Sequence, residues 1–197
     1  MIEYIAMTAI LLLCTGNVCR SVMAQAMLSA LAPAVSVTSA GLLRGGQPPP
    51  AEVVSVMAAR GIDVASHRSH RVSAGDLAAV DLIVGLGREH ARHAVVLRPE
   101  CWPRTFTLRE LLRRGLATGP RAPGEPLGDW LARAGGGRTR RELLGSAAAD
   151  DVPDPYGGPF AGYQAAADLL DGLTRDLAAL GRLDLAGGAG VSRTRSG

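Results

Sequence analysis

Short apolar runs and longer stretches of helical periodicity alternate along this chain. Four runs rich in Leu, Ile, Val or Thr predict strands, and stretches whose apolar residues recur every three or four positions predict helices. The predicted strands cover residues 9–13, 35–38, 82–86 and 104–107, and the predicted helices cover residues 21–31, 51–60, 76–80, 89–97, 108–114, 127–132 and 160–180. Strands that alternate with helices indicate an α/β fold, in which right-handed crossovers build a parallel sheet.

The first predicted strand leads directly into residues 14–21, which we call the cysteine loop. A tight loop between a strand and a helix points several backbone N–H groups at one spot, and the helix N-terminus adds partial positive charge. In open parallel sheets, ligands bind at the carboxyl ends of strands, which is where Cys14 stands. An anion site with a thiol at its floor predicts covalent phosphoryl chemistry in addition to phosphate binding.

The cysteine loop contains a candidate nucleophile, a phosphate anchor and backbone donors. The Cys14 thiol is the predicted nucleophile, because helix N-termini and nearby cations lower a thiol pKa from ~8.5 to ~3.5–7.5. Arg20 follows in the same loop, and its planar guanidinium can hold two phosphoryl oxygens. The predicted N–H donors are Thr15, Gly16, Asn17, Val18 and Cys19. The alternative for Cys14 is the common one for a free cysteine, a small buried hydrophobic residue.

Together with the strand before it, the cysteine loop resembles the same segment of the low-molecular-weight protein tyrosine phosphatases. The sequence Asp154-Pro155-Tyr156-Gly157 is similar to the general-acid loop of that family. Shorter matches in the same order are Ser39-Ala40-Gly41, residues 61–68 and residues 81–83. The resemblance implies a three-layer α/β fold, with a four-stranded parallel sheet flanked by helices on both faces (phosphotyrosine phosphatase I-like). It also implies metal-independent hydrolysis of protein phosphotyrosine through a phosphocysteine intermediate, with no cofactor.

Asp154 is the predicted general acid. A carboxyl group that protonates the leaving oxygen in the transition state typically contributes ~10²–10⁴ in rate. The same carboxylate can then activate the water that hydrolyses the phosphocysteine. Pro155 restricts Asp154 to an extended backbone and so holds the carboxylate out on a loop. Asp151, in the same acidic run, is the alternative acid.

The resemblance also implies residues around the substrate. Tyr156 would form one wall of the cleft and would stack against an aromatic substrate. Arg44 stands at a position where many relatives carry an aromatic specificity residue. Ser39 and His67 would support the cysteine loop through Asn17.

For two residues of the cysteine loop, the sequence allows two roles each. Ser21 is either the N-cap of the following helix or, by the resemblance, a hydroxyl donor to the Cys14 sulfur. Cys19 either lines the loop or, by the resemblance, protects Cys14 from over-oxidation through a reversible disulfide.

Three other functions compete with a tyrosine phosphatase. A protein arginine phosphatase usually carries threonine at the position of Val18, so that valine favours phosphotyrosine. Arsenate reductase needs a resolving cysteine pair, and beyond the cysteine loop only Cys101 is present. A non-catalytic module that binds phosphoproteins would dock through the arginine-rich residues 98–141, although such charge runs are usually solvated faces. The presence of Cys14 together with Arg20 and Asp154 argues for catalysis.

Composition excludes several classes of protein. All 21 Lys+Arg positions are arginine and the formal net charge is +3, a mild excess that makes nucleic acid an unexpected partner. Three cysteines, two of them in one loop, do not form a disulfide framework, and we expect a reducing, cytoplasmic setting. No apolar run reaches membrane-spanning length. The histidines lack finger-like spacing to cysteine, so that no metal site is predicted, and His90 and His93 are expected on one exposed helix face.

The chain is predicted to form one domain over residues 1–181. By comparison with the usual length of the family, the Gly-, Pro- and Arg-rich stretch at about residues 115–150 is an insertion, which we call the insertion segment. Residues 182–197 are predicted to be a disordered tail. The resemblance implies a phosphotyrosine protein as substrate and a bacterial tyrosine kinase as a partner enzyme. The oligomeric state and the role of the insertion segment stay open.

Overall fold

The structure, a computed structural model, describes residues 8–145 and 147–183. Its described residues form a sheet of four strands in the order β2-β1-β3-β4. The strands are β1 (Ala9–Cys14), β2 (Ser36–Gly41), β3 (Leu82–Gly85) and β4 (Thr105–Thr107). All three neighbouring pairs are parallel. Strands β1 and β3 therefore lie in the middle of the sheet and are flanked on both sides by other strands.

Helices cover both faces of this sheet. Within the described ranges they are α1 (Arg20–Leu31), α2 (Ala51–Ala58), α3 (Ala74–Ala78), α4 (Arg88–Leu97), α5 (Leu108–Thr118), α6 (Leu127–Ala134) and α7 (Phe160–Gly181), with 3-10 helices at Pro99–Arg104 and Arg140–Leu143. Helices α1 and α7 pack together on one face, and α4 lies on the other. The predicted three-layer α/β fold is confirmed. Among these described helices, none is long and apolar enough to span a membrane.

Strand β1 is buried on both faces. Ile10 and Leu12 belong to the larger core under α1 and α7, whereas Leu11 and Leu13 belong to the smaller core under α4. A strand with two buried faces reads as an unbroken apolar run, which is the pattern found here. Cys14 continues the alternation of Ile10 and Leu12, and its side chain lies on the α1 side.

Two elements run further than the sequence predicts. The β-branched run ends at Thr38, but pairing with β1 extends β2 to Gly41, which lies opposite Cys14. Helix α5 continues through Gly115 to Thr118. A Cβ at Gly115 would lie 3.0 Å from the Trp130 ring of α6. Gly115, the first residue beyond the predicted helix, therefore permits the close approach of α5 and α6.

The insertion segment is folded against the rest of the domain over its described residues. Trp130 and Leu131 are buried, and the Trp130 indole N–H donates to the carbonyl oxygen of Gly119 at 3.0 Å. At the other end of the chain, Leu183 is buried beside α7. The rest of the predicted tail, residues 184–197, lies outside the described residues.

Candidate functional site

The carboxyl ends of β1 and β2 bring the cysteine loop into contact with Gly41. Cys14 is the last residue of β1 and pairs in register with Gly41, the last residue of β2. A Cβ on Gly41 would lie 2.8 Å from the Thr15 carbonyl oxygen and 2.9 Å from the Asn17 nitrogen. Only glycine fits this approach, because a side chain would collide with the backbone of the cysteine loop.

The Cys14 sulfur lies among hydrogen-bond donors. The Asn17 backbone N–H donates to Cys14 Sγ at 3.2 Å, and Ser21 Oγ lies 3.0 Å from the same sulfur. Helix α1 begins at Arg20, and no side chain of the described chain caps its N-terminus. The interpretation of Ser21 as an N-cap is therefore wrong, and its hydroxyl faces the sulfur.

Asn17 holds the cysteine loop in shape. Its backbone is left-handed (φ 51°) and its side chain is fully buried. The amide nitrogen Nδ2 donates to Ser21 Oγ at 2.9 Å and to Ser39 Oγ at 2.8 Å. Its Oδ1 accepts from the His70 backbone N–H at 2.8 Å, and its carbonyl oxygen lies 2.9 Å from His67 Nε2. The structure thus places Ser39 and His67 on the partner that the resemblance implied.

Two supports of Asn17 were not predicted from the sequence. One is the His70 backbone, and the other is Gln25, whose Oε1 accepts from Ser39 Oγ at 2.5 Å. Gln25 lies on α1, one turn beyond Ser21, and this helical spacing is the signal by which it could have been found.

Arg20 and Asp154 meet above the cysteine loop. Arg20 Nη2 lies 2.5 Å from Asp154 Oδ2, and the side chains are 7% and 45% exposed. The guanidinium also donates to Thr15 Oγ1 and to the Val152 carbonyl oxygen, both at 3.2 Å. Asp154 Oδ1 accepts from the Tyr156 backbone N–H at 3.2 Å. The general-acid candidate is therefore fixed within reach of the phosphate anchor.

The alternative acid, Asp151, has a different place. Its Oδ1 accepts from the Arg88 backbone N–H at 2.8 Å, at the N-terminus of α4. A carboxylate at a helix N-terminus is a stabilising group. This contact gives Asp151 a structural role and favours Asp154 as the residue that faces substrate.

A cavity of about 610 Å³ opens above the cysteine loop. Cys14, Arg20, Arg44 and Tyr156 all line it. Residues that the sequence did not single out also line it, among them Leu43, Glu52 and Tyr163. Tyr156 is 67% exposed, so that its side chain is accessible to a substrate.

Cys19 lines the same cavity with a thiol that stays protonated. Burial, followed by the negative charges of Asp154 and Cys14, raises the pKa of Cys19 to about 12. A thiol with so high a pKa is a poor nucleophile near neutral pH. Cys101 lies in the core on the opposite face of the sheet from Cys14. The sheet therefore separates Cys14 from Cys101, which argues against a redox relay between them.

His90 and Glu89 reach the cysteine loop from the first turn of α4. His90 Nε2 lies 3.0 Å from Thr15 Oγ1, and the Thr15 hydroxyl donates to Glu89 Oε1 at 3.2 Å. The expectation that His90 lies on an exposed helix face is wrong, because its side chain is fully buried. Burial, together with the positive charges of Arg20 and His93, lowers the pKa of His90 to about 3. The position of His90 just after β3 is the sequence feature from which its contact with the cysteine loop could have been predicted, because the carboxyl end of β3 lies beside that of β1.

The Cys14 thiol, at the end of a buried parallel strand and bonded by the Asn17 N–H, lines one cavity together with the Arg20–Asp154 pair. This arrangement suits cysteine-based phosphoryl transfer. Residues 9–116 match the model of the family described as low molecular weight phosphotyrosine protein phosphatase. The chain belongs to this family, which confirms the resemblance seen in the sequence.

Individual relatives extend this comparison. The chain is 39% identical over 103 residues to the probable low molecular weight protein-tyrosine-phosphatase EpsP of Ralstonia solanacearum. The aligned region covers 52% of this chain and 71% of EpsP. It is 29% identical over 171 residues to a protein-arginine-phosphatase of Geobacillus stearothermophilus, covering 86% and 93% of the two chains. The crystal structure of a low molecular weight protein tyrosine phosphatase from T. tengcongensis superposes with a TM-score of 0.65 at 29% identity, over 86% of this chain and 97% of that one.

Proposed function

We propose that this protein hydrolyses phosphotyrosine in proteins, without a metal ion, through a phosphocysteine intermediate on Cys14. The observation that carries the proposal is the convergence of Cys14, Arg20 and Asp154 on one cavity. Membership of the phosphatase family supports the reaction class.

In the first step, the Cys14 thiolate attacks phosphorus and the bond from phosphorus to the leaving oxygen breaks. Arg20 and the backbone N–H groups of the cysteine loop hold the other phosphoryl oxygens. The Asp154 carboxyl group donates its proton to the leaving phenolate oxygen. The positive end of α1 and the Ser21 hydroxyl stabilise the thiolate before it attacks.

In the second step, the Asp154 carboxylate accepts a proton from water while the water oxygen attacks phosphorus. The sulfur–phosphorus bond breaks, inorganic phosphate is released, and Cys14 returns to a thiolate stabilised by the Ser21 and Asn17 donors. The two steps use one carboxyl group in opposite protonation states. No further group is required for the balance of atoms.

The cavity walls favour an aromatic leaving group. Val18 of the cysteine loop lines the cavity together with Leu43 and Tyr156, and a phenyl ring can pack between such groups. The competing hypothesis is hydrolysis of phosphoarginine. It is supported by the protein-arginine-phosphatase of Geobacillus stearothermophilus, 93% of whose length aligns with this chain. The apolar Val18 side chain favours phosphotyrosine, and the substrate would be a protein phosphorylated by a bacterial tyrosine kinase in the cytoplasm.

The test is turnover of p-nitrophenyl phosphate in the presence of a chelator. We expect Cys14→Ser to abolish activity and Asp154→Asn to lower kcat by ~10²–10⁴. Asp151→Asn tests the alternative acid and should keep most of the activity. Cys101→Ser, on the other face of the sheet, is the matched control and should behave like the unchanged protein. Undiminished turnover by Cys14→Ser would overturn the mechanism.

A second assay separates the two substrates. Peptides that carry phosphotyrosine or phosphoarginine are compared for the unchanged protein and for Val18→Thr. We expect phosphotyrosine to be preferred, and the threonine variant to shift the ratio of kcat/KM toward phosphoarginine. A preference for phosphoarginine in the unchanged protein would replace the proposed substrate while leaving the mechanism intact.

A further inference from the structure

We propose that His90 is a positioning residue of the phosphate site: its imidazole holds the Thr15 hydroxyl, and Thr15 in turn holds the Arg20 guanidinium. This inference rests on the proposed function, because it assigns a role in the same site to a residue that touches neither substrate nor the reacting atoms.

The contacts form one continuous chain from α4 to Arg20. His90 Nε2 lies 3.0 Å from Thr15 Oγ1, and Arg20 Nη2 donates to that same oxygen at 3.2 Å. The other partner of Arg20 Nη2 is Asp154, at 2.5 Å. Asp154 must turn to the leaving group during the reaction. Thr15 is therefore the side chain that keeps this end of the guanidinium in place while Asp154 acts.

The surroundings of His90 fix which nitrogen carries the proton. Glu89 Oε1 lies 3.1 Å from Nε2, and a carboxylate beside a ring nitrogen favours a proton on that nitrogen. With its proton on Nε2, the ring donates toward Thr15 Oγ1, while the Thr15 hydroxyl donates to Glu89. The oxygen of Thr15 then uses its lone pairs to accept from His90 and from Arg20.

The other ring nitrogen, Nδ1, is buried without a hydrogen-bond partner among the described residues. It lies beside Gly87, where a Cβ would stand 3.3 Å from Nδ1. Gly87 and His90 also line a second cavity of about 610 Å³ that shares Arg20 and Asp154 with the first. Because a buried polar atom without a partner is costly, a histidine that only filled the core would be an unfavourable choice here. Its contact with Thr15 supplies a reason for the residue.

The neutral state of the ring suits this role. Burial, Arg20 and His93 hold the pKa of His90 near 3, so that the ring is uncharged throughout the range in which phosphatases are assayed. An imidazolium in the same place would repel Arg20 and weaken its hold on Thr15. A neutral ring supplies the hydrogen bond without that repulsion.

A double-mutant cycle tests whether His90 acts through Thr15. The variants are His90→Leu, Thr15→Val and the combination, and the readouts are kcat/KM for p-nitrophenyl phosphate and the affinity for inorganic phosphate by calorimetry. Each single change should lower kcat/KM and phosphate affinity about tenfold, the scale of one hydrogen bond to a charged group. The double variant should lose no more than either single variant, because both remove the same link.

Two further variants separate positioning from packing. His90→Gln keeps an N–H donor near the place of Nε2 and should recover most of the lost activity. Thr15→Val breaks the same link from the side of the cysteine loop and should show the loss even if His90→Leu does not fold. Val96→Ala, on the same helix and exposed to solvent, is the matched control and should leave both readouts unchanged.

Additive losses in the cycle, or unchanged phosphate affinity in a folded His90→Leu, would overturn the positioning role. The calorimetric measurement of phosphate affinity requires no turnover, so that the phosphatase activity and the positioning role of His90 are tested independently. An inactive unchanged protein whose phosphate affinity still drops in His90→Leu would overturn the phosphatase and keep the positioning role. An active protein with an additive cycle would overturn the positioning role alone.

Discussion

Asn17 joins the cysteine loop to parts of the chain that lie up to 53 positions away. Its side chain has partners on every polar atom, and its left-handed backbone needs those partners because non-glycine residues are strained there. His90 differs, since it is equally buried but has one ring nitrogen without a partner in the described chain. Both residues therefore maintain the shape of the phosphate site at a cost in folding stability.

The buried neutral His90 makes folding stability depend on pH. In the unfolded chain the histidine titrates at its ordinary pKa of 6.5, whereas in the folded protein its pKa is about 3. Between these values only the unfolded state binds the proton, so that the free energy of unfolding falls as the pH drops below 6.5 and levels off near 3. From pH 7.5 to pH 5.0 the loss amounts to about 2 kcal/mol.

Urea unfolding at pH 7.5 and 5.0 measures this effect. We expect the unchanged protein to lose about 2 kcal/mol more than His90→Gln over this interval. The other titrating groups are the same in both proteins and cancel in the difference. Equal losses in the two proteins would show that His90 is protonated in the folded state and would contradict its neutral role.

At the scale of the elements, Arg138 attaches the insertion segment to the edge of the sheet. Its guanidinium stacks on the Trp102 and Phe106 rings, 4.1 Å and 3.7 Å from the ring centroids. It pairs with Glu110 of α5 at 2.7 Å and donates to the Thr105 carbonyl oxygen of β4 at 2.6 Å. The Arg138 and Glu110 side chains are 2% and 7% exposed. This buried pair ties the stretch between α6 and the second 3-10 helix to β4 and α5.

Removal of Arg138 should therefore destabilise the domain strongly. Arg138→Ala leaves the Glu110 charge buried with fewer partners, and such losses typically cost about 3–5 kcal/mol of unfolding free energy. The double variant Arg138→Met with Glu110→Leu should recover much of the loss, because it removes both charges and keeps apolar volume. Urea unfolding checks both, with Arg141→Ala as a matched control at an exposed arginine. A small loss in Arg138→Ala would show that the insertion segment is held by other contacts.

The elements were largely predictable from the sequence because their signals are local. The apolar run of β1 and the helical spacing of α7 lie within single windows of the chain, and both were found at nearly their observed bounds. The cysteine loop and Asp154 were recognised by resemblance. His70 was missed because its contact with Asn17 joins segments 53 positions apart, which no local pattern reports. The position of His90 after β3 and that of Gln25 one helical turn after Ser21 are local features, but they point to the cysteine loop only once the packing of the elements is known.

At the scale of the whole molecule, the end of the insertion segment leads into the general-acid loop. Asp150 is 5% exposed and pairs with Arg88 of α4 at 2.8 Å and Arg113 of α5 at 2.9 Å. Burial alone would raise the pKa of Asp150, but the hydrogen bonds from Arg113 and Arg88 outweigh it and hold the pKa below its usual value. Two residues later, the Val152 N–H donates to the Leu86 carbonyl oxygen at 2.8 Å. These contacts anchor the chain just before Asp154.

Loss of this anchor should weaken proton donation more than phosphate binding. Asp150→Asn removes the charge that holds α4 and α5 to the loop, and a displaced Asp154 donates its proton less well. A poor leaving group depends more on that proton, so that kcat for phenyl phosphate should fall about tenfold and kcat for p-nitrophenyl phosphate much less. Inhibition by inorganic phosphate should not change, because Cys14 and Arg20 stay in place. An equal loss for both substrates together with weaker phosphate inhibition would show instead that Asp150 supports the cysteine loop itself.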